Sequence, residues 1–347
     1  MLSHRTPMQG GMKHHYWALA LTGLALGIGI PLMLGGSGIL PVLARFPVWL
    51  LAVMLLMIFV GWNMNAGRMR LLAGGTGVQL TQRRALAFVV ATEFAYSATP
   101  GGSGGPATYA WLLRPQGIPG PRAFAMYAAD QLIDMIFFIT SMALLFLYWM
   151  LAPSVWDPGW QLMVMGGILL GGLMLIALAL RFYRRVLITL GRVLHHFKVK
   201  PRTRMRLARW AIEFRHSLQL IRSFSKLRLA GVLALCSIHW LLRYSVLYLA
   251  VWGLGADISW SYAFVVQMVS LTTGHATLLP GGSGGAEASS TLLLAPYLEP
   301  VTAGAAIIIW RLVTFYWYLI AGGPVFAALA GGPLWRRLTG RKALTGC

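Results

Sequence analysis

Six ionisable residues, Glu93, Asp130, Asp134, Arg243, Glu287 and Arg311, sit inside long apolar runs of this 347-residue chain. A charge at membrane depth faces a cavity or a partner, so each is a candidate for ligand binding or proton movement. Beside them one hexapeptide, Pro-Gly-Gly-Ser-Gly-Gly, occurs twice, at 100–105 and 280–285. Each copy follows an apolar segment (85–98 and 261–279) too short to finish as an ordinary span. Loops do not survive in hydrocarbon unless their amides and carbonyls find partners. A glycine cluster repeated in both halves therefore points to a site built on broken helices. Its chemistry is anion binding: a glycine run followed by a helix N-terminus offers unpaired N–H groups and partial positive charge. The candidate binding residues are Gly101, Gly102, Ser103 and Gly104 at one tip and Gly281, Gly282, Ser283 and Gly284 at the other. The six charged residues complete the set. Ser103 and Ser283 read as hydrogen-bond donors or helix caps. Both glycine runs also fit Gly-x-Ser-x-Gly, but a nucleophile there needs a strand-to-helix turn with His and Asp partners, and neither context is present. His239 and His275, the histidines within spans, are candidates for proton coupling.

The elements that must carry these residues are membrane helices. Composition is 58% hydrophobic and 11% charged, with a mean hydropathy of +0.68, outside the range of soluble domains. Apolar stretches at about 16–34, 48–65, 123–150, 161–180, 229–252 and 301–322 predict six full spans in one membrane domain, 1–347. The first stretch is longer than a signal-peptide core and lacks a small-residue cleavage site, so it reads as a retained helix. The two cysteines, Cys236 and Cys347, allow no disulfide framework, and no metal or cofactor spacing occurs.

Charge distribution orients the chain. Basic residues crowd the N-terminus, 68–84, 181–228 and the tail with Arg336, Arg337, Arg341 and Lys342, while the connections 151–160 and 253–260 carry none. Positive-inside counting places the basic regions and both termini in the cytoplasm. Only one full span lies between 68–84 and the outer connection 151–160, so 85–121 must enter and leave on the same side. The same parity makes 261–300 a hairpin entering from the opposite side. The expectation is an inverted repeat, 48–150 and 229–322, with a re-entrant hairpin in each half. At the repeat offset Arg311 aligns with Gln131, and Glu287 with Ala107. Asp130 and Asp134, one turn apart and about 12–18 Å into their span, are possible partners of Arg311 or of a headgroup.

The net charge of +21 does not indicate nucleic acid, because fourteen of the 29 basic residues fall between Arg181 and Arg228. There Leu207, Trp210, Phe214, Leu218 and Ile221 recur at helical spacing, the pattern of a basic amphipathic helix on an anionic leaflet. The expected partners are membrane lipids.

With Arg68, Leu71-Leu72, Thr99 and the first hexapeptide, then the second hexapeptide with Ala286-Glu287 and the later Arg311, the chain resembles the transmembrane domain of lysylphosphatidylglycerol synthases, a flippase-like family. The resemblance covers about 48–323. An Arg-x-x-Asp common in the family reads Gln131-Leu132-Ile133-Asp134 here, and the residues after the last span are too few for the synthases' soluble transferase domain. The resemblance therefore implies movement of an anionic or phosphate-bearing lipid between leaflets of the inner membrane, without enzymatic synthesis. The alternatives are a membrane-embedded lipid-modifying transferase and a non-transporting partner that recruits lipid enzymes.

Overall fold

The computed structural model describes residues 29–33, 36–151 and 201–339, with isolated positions between 167 and 181. Among the described residues every regular element is helical. Four helical stretches are long and apolar enough to cross a membrane: Val48–Gly75, Gly120–Leu151, Lys226–Gly253 and Pro300–Gly331. They coincide with four of the six expected spans. The other two, 16–34 and 161–180, fall largely outside the described residues, as does the basic stretch 182–200. The chain is a multi-pass integral membrane protein.

The described chain starts with a short helix α1 (Ile39–Ala44) and the long α2 (Val48–Gly75). Helix α2 outruns the expected span by ten residues, because the apolar face continues through Ala66, Met69, Leu72 and Ala73, all buried. Arg68, the first residue of the basic stretch 68–84, lies within this helix and is buried. Helices α3 (Gln82–Ala98) and α4 (Gly104–Leu113) follow, then α5 (Gly120–Leu151). Thr81 caps α3 by accepting the Arg84 N–H at 3.4 Å. Between α3 and α4 the first hexapeptide forms a single tight turn, Pro100–Gly102. The second half repeats the arrangement: α9 (Trp260–Ala276), a turn at Pro280–Gly282, then α10 (Gly285–Leu294). Ser259 caps α9 through the Tyr262 N–H at 3.1 Å. The broken helices stand where the sequence expects them, each interrupted at its glycine run.

Two spans are interrupted. Helices α7 (Lys226–Tyr244) and α8 (Val246–Gly253) share one, and the Tyr244 carbonyl at the break accepts from the Gln267 amide. In the other, α11 (Pro300–Arg311) passes through a π-helical turn at Leu312–Tyr316 into α12 (Trp317–Thr339). In an apolar medium such breaks persist only where neighbours satisfy the freed carbonyls.

The chain divides into two compact units. One comprises Met1–Arg70, Leu80–Leu112 and Ile238–Cys347, and contains both glycine turns. Here α3 packs along α12, α9 along α10, and α8 along α11. Gly322 permits the first contact: a Cβ there would stand 2.6 Å from the Phe94 Cβ and 3.1 Å from the Val90 carbonyl.

The other unit comprises Leu71–Gln79 and Leu113–Ser237, and pairs α5 with α6 (Pro201–Arg222). Part of the apolar stripe on α6 meets α5. Trp210 meets Phe124 of α5 edge-on at 5.8 Å and stacks on Phe214 at 5.4 Å, while Ile221 and Ser217 are buried. Met205, Arg209, Ile212, Arg215 and His216 remain exposed.

Replacing Gly322 by valine should force α3 and α12 apart and destabilise the protein by about 1–3 kcal/mol, the usual cost of overpacking. Thermal unfolding of the purified protein in detergent measures it, and an unchanged transition refutes the close contact.

Candidate functional site

The two glycine turns share one backbone. Gly101 and Gly281 have φ of +58° and +61°, and Gly102 and Gly282 of +70° and +67°. Two consecutive residues in the left-handed region are open only to glycine without strain. Space agrees with dihedral angle, since a Cβ on Gly281 would run into the Phe315 ring and one on Gly282 would stand 2.9 Å from the Gly274 carbonyl carbon. The turns lie against each other. A Cβ on Gly101 would come within 3.3 Å of Leu278, itself at φ +55°, a conformation strained for leucine. Tyr96 and His275 also join across the turns, hydroxyl to Nε2 at 2.5 Å. The His275 Nδ1 meets the Leu271 carbonyl at 2.5 Å.

The tip amides are used internally. Gly102 N–H donates to the Thr99 carbonyl at 3.1 Å and Ser103 N–H to the Pro100 carbonyl at 3.3 Å; Gly282 and Ser283 do the same with Leu279 and Pro280 at 3.0 and 3.3 Å. The expected cradle of exposed amides is therefore closed at these four positions. The serines are not the helix caps either. Each hydroxyl bonds back into its own turn, Ser103 to the Pro100 carbonyl at 3.1 Å and Ser283 to the Pro280 carbonyl at 2.9 Å. Capping falls to Thr99, whose hydroxyl accepts the Gly104 N–H at 2.7 Å, and to Glu287, whose Oε2 accepts the Gly284 N–H at 2.7 Å. Gly104 and Gly284 are equivalent in the repeat. The first half, with Ala107 where the second has Glu287, supplies a threonine instead of a carboxylate.

That difference lets the second tip hold a charge pair. Glu287 Oε1 lies 2.6 Å from Arg311 Nε, with the two side chains 0% and 1% exposed. Arg311 also donates from Nη1 and Nη2 to the Gly281 carbonyl at 3.1 and 3.0 Å, and from Nη2 to the Ser283 hydroxyl at 3.2 Å. The Phe315 ring faces the guanidinium at 4.5 Å. Of the possible carboxylate partners of Arg311, the one it meets is Glu287. Asp130 and Asp134 belong to the other unit, where Asp134 accepts from Cys236 Sγ at 3.2 Å.

Arg243 crosses to the π-helical turn. Its Nη1 donates to the Tyr318 hydroxyl at 2.5 Å and its Nη2 to the Thr314 carbonyl at 3.3 Å, with the guanidinium over the Tyr318 ring at 4.7 Å. A π-turn pushes carbonyls out of the regular ladder, and Arg243 takes up one of them. The Glu93 carboxylate is within electrostatic reach of Arg243. On α2, Arg68 donates to Asn65 Oδ1 at 3.0 Å, and Asn65 Nδ2 stands 3.3 Å from His239 Nε2. The His239 ring lies against Gly61, where a Cβ would be 2.9 Å from Nδ1. Among the described residues no three His, Cys, Asp or Glu side chains cluster to hold a metal ion.

A family model for the lysylphosphatidylglycerol synthase TM region matches residues 20–322. The chain belongs to this family. A UPF0104 membrane protein of Archaeoglobus fulgidus is 22% identical over 283 residues, 79% of this chain and 85% of the relative. A UPF0104 membrane protein of Methanothermobacter thermautotrophicus is 29% identical over 115 residues, a third of each chain. Family membership ties this membrane protein to lipid metabolism.

The sequence reading missed Thr99, Tyr96, Asn65, Thr314 and Tyr318 as members of the polar interior. Asn65 and Arg68, one turn apart, carried a signal in the apolar periodicity that continues beyond them. Tyr318 and Thr314 carried none, since hydroxyls are common in apolar helices.

Glu287→Leu and Arg311→Met each strand a buried charge and should cost about 3–5 kcal/mol, whereas the double replacement Glu287→Leu with Arg311→Met should cost less than either. Thermal unfolding of the four proteins in detergent forms the cycle, and additive losses would show that the pair does not couple.

Proposed function

We propose that this protein moves an anionic, phosphate-bearing lipid between the leaflets of the cell membrane, without chemical modification of it. The observation that carries this reading is the composition of the polar interior around the second tip. Arg243 and Arg311 lie in the unit that holds both glycine turns, and Arg311 donates to the Gly281 carbonyl of the second. Arg311 lies eleven residues into the stretch Pro300–Gly331, about 17 Å along it, and Arg243 about 15 Å from the end of Lys226–Gly253. Cations at that depth commonly line a substrate path, and an anionic headgroup suits them.

The two broken helices extend the proposal. We read 85–121 and 261–300 as re-entrant hairpins dipping from opposite faces, the halves of an inverted-topology repeat, with both termini cytoplasmic. The shared dihedral angles of the two turns and their contact support this. Rocking of one half against the other about such a midplane contact would alternate access to it.

Reconstitution in liposomes containing fluorescent phosphatidylglycerol, phosphatidylethanolamine or a polyprenyl phosphate tests the function. Wild type should accelerate transfer of the anionic lipids, and Gly282→Val, which blocks the turn, should slow it by about tenfold or more, equivalent to about 1.4 kcal/mol in barrier. Absence of protein-dependent movement of any lipid, with and without proton and sodium gradients, would overturn the proposal.

A further inference from the structure

The three arginines of the interior differ in what they have left to offer. Arg68 and Arg311 are sealed, with 2% and 1% of their surface exposed, whereas Arg243 remains partly open. A guanidinium has five N–H donors in a fixed fork. Arg311 makes four short contacts, to Glu287, twice to the Gly281 carbonyl and to Ser283. Arg243 makes two hydrogen bonds, to Tyr318 and Thr314, and its buried Nε has none. Its plane is nonetheless held, by the Tyr318 ring at 4.7 Å and the Trp240 ring at 5.7 Å. A guanidinium fixed in orientation with spare donors is organised for an oxyanion.

The surroundings indicate how a ligand arrives. Glu93 and Tyr96, one turn apart on α3, are both partly exposed, and the Glu93 carboxylate is within electrostatic reach of Arg243. Tyr96 in turn bonds the exposed His275 at the junction of the two tips. A line of polar groups thus runs from the tip junction, through His275 and Tyr96, to Glu93 and Arg243.

We propose that Arg243 is the residue that contacts the ligand, binding the phosphate group of a lipid headgroup, and that Arg311 is a positioning residue which clamps the second tip. The proposal rests on the lipid-translocation reading for the identity of the ligand. It reverses the weight that sequence alone gives to Arg311 and Glu287 as headgroup contacts. Their bonds lock a turn whose carbonyl would otherwise lie unpaired in the interior.

The test is direct binding to the full chain in detergent, followed by tryptophan fluorescence because Trp240 adjoins Arg243. The probes are dihexanoyl phosphatidylglycerol, inorganic phosphate and dihexanoylglycerol, which lacks the phosphate. Wild type should bind the first more tightly than the third, and Arg243→Gln should lose about tenfold or more in affinity, with partial recovery in Arg243→Lys. Phosphate binding that matches the phospholipid would assign the site to free phosphate and overturn the lipid source. Equal binding of all three probes, or unchanged affinity in Arg243→Gln, would overturn the site. A measurement on wild type covers failure of the variant to fold. Phenylglyoxal should modify Arg243 ahead of Arg68 and Arg311, and dihexanoyl phosphatidylglycerol should protect it where dihexanoylglycerol does not. Modification of Arg243 at the same rate with and without the phospholipid would count against the proposal. Arg243-dependent binding without transfer in liposomes would retain the site and refute translocation.

Discussion

The buried pair of Glu287 and Arg311 is the interaction on which the second glycine turn depends. A turn built from consecutive left-handed glycines exposes carbonyls and amides that an apolar interior cannot solvate. Here the guanidinium takes the Gly281 carbonyl and the Ser283 hydroxyl, while the carboxylate takes the Gly284 amide. One ion pair therefore satisfies polar groups on both sides of the break. Neither charge is tolerable without the other, so α9, α10 and α11 are bound into one arrangement.

The first turn shows that the same backbone can be held without charge. Thr99 accepts the Gly104 amide, and the corresponding arginine and glutamate positions are Gln131 and Ala107. The repeat thus keeps its geometry and differs in its electrostatics. The carboxylate and guanidinium that hold the second turn have no counterparts at the equivalent positions of the first.

Interrupted helices supply the remaining geometry. The π-helical turn after Arg311 reorients the helix so that the Thr314 carbonyl and the Tyr318 hydroxyl meet Arg243, and the break at Tyr244 is covered by Gln267. Each irregularity is matched by a polar side chain from a neighbouring helix. Polar groups in this unit are accordingly ordered by the breaks.

Much of the architecture was legible in residue types. Hydropathy located the four long helical stretches, because a span needs about 20 apolar residues and little else. The repeated hexapeptide located both breaks, since few sequences other than glycine runs tolerate two consecutive positive φ values. Depth in apolar runs marked Arg243, Glu287 and Arg311 as unusual. What sequence could not decide was partnership: Arg311 reaches Glu287, and Trp210 meets Phe124 of α5. Periodicity states which face of a helix is apolar but not what lies opposite it. Two carboxylates are equivalent on a sequence until folding brings one within hydrogen-bond distance of a guanidinium. The sequence by itself determined where helices run and where they break; only the tertiary structure decided which polar groups are consumed in holding those breaks and which remain available to a ligand.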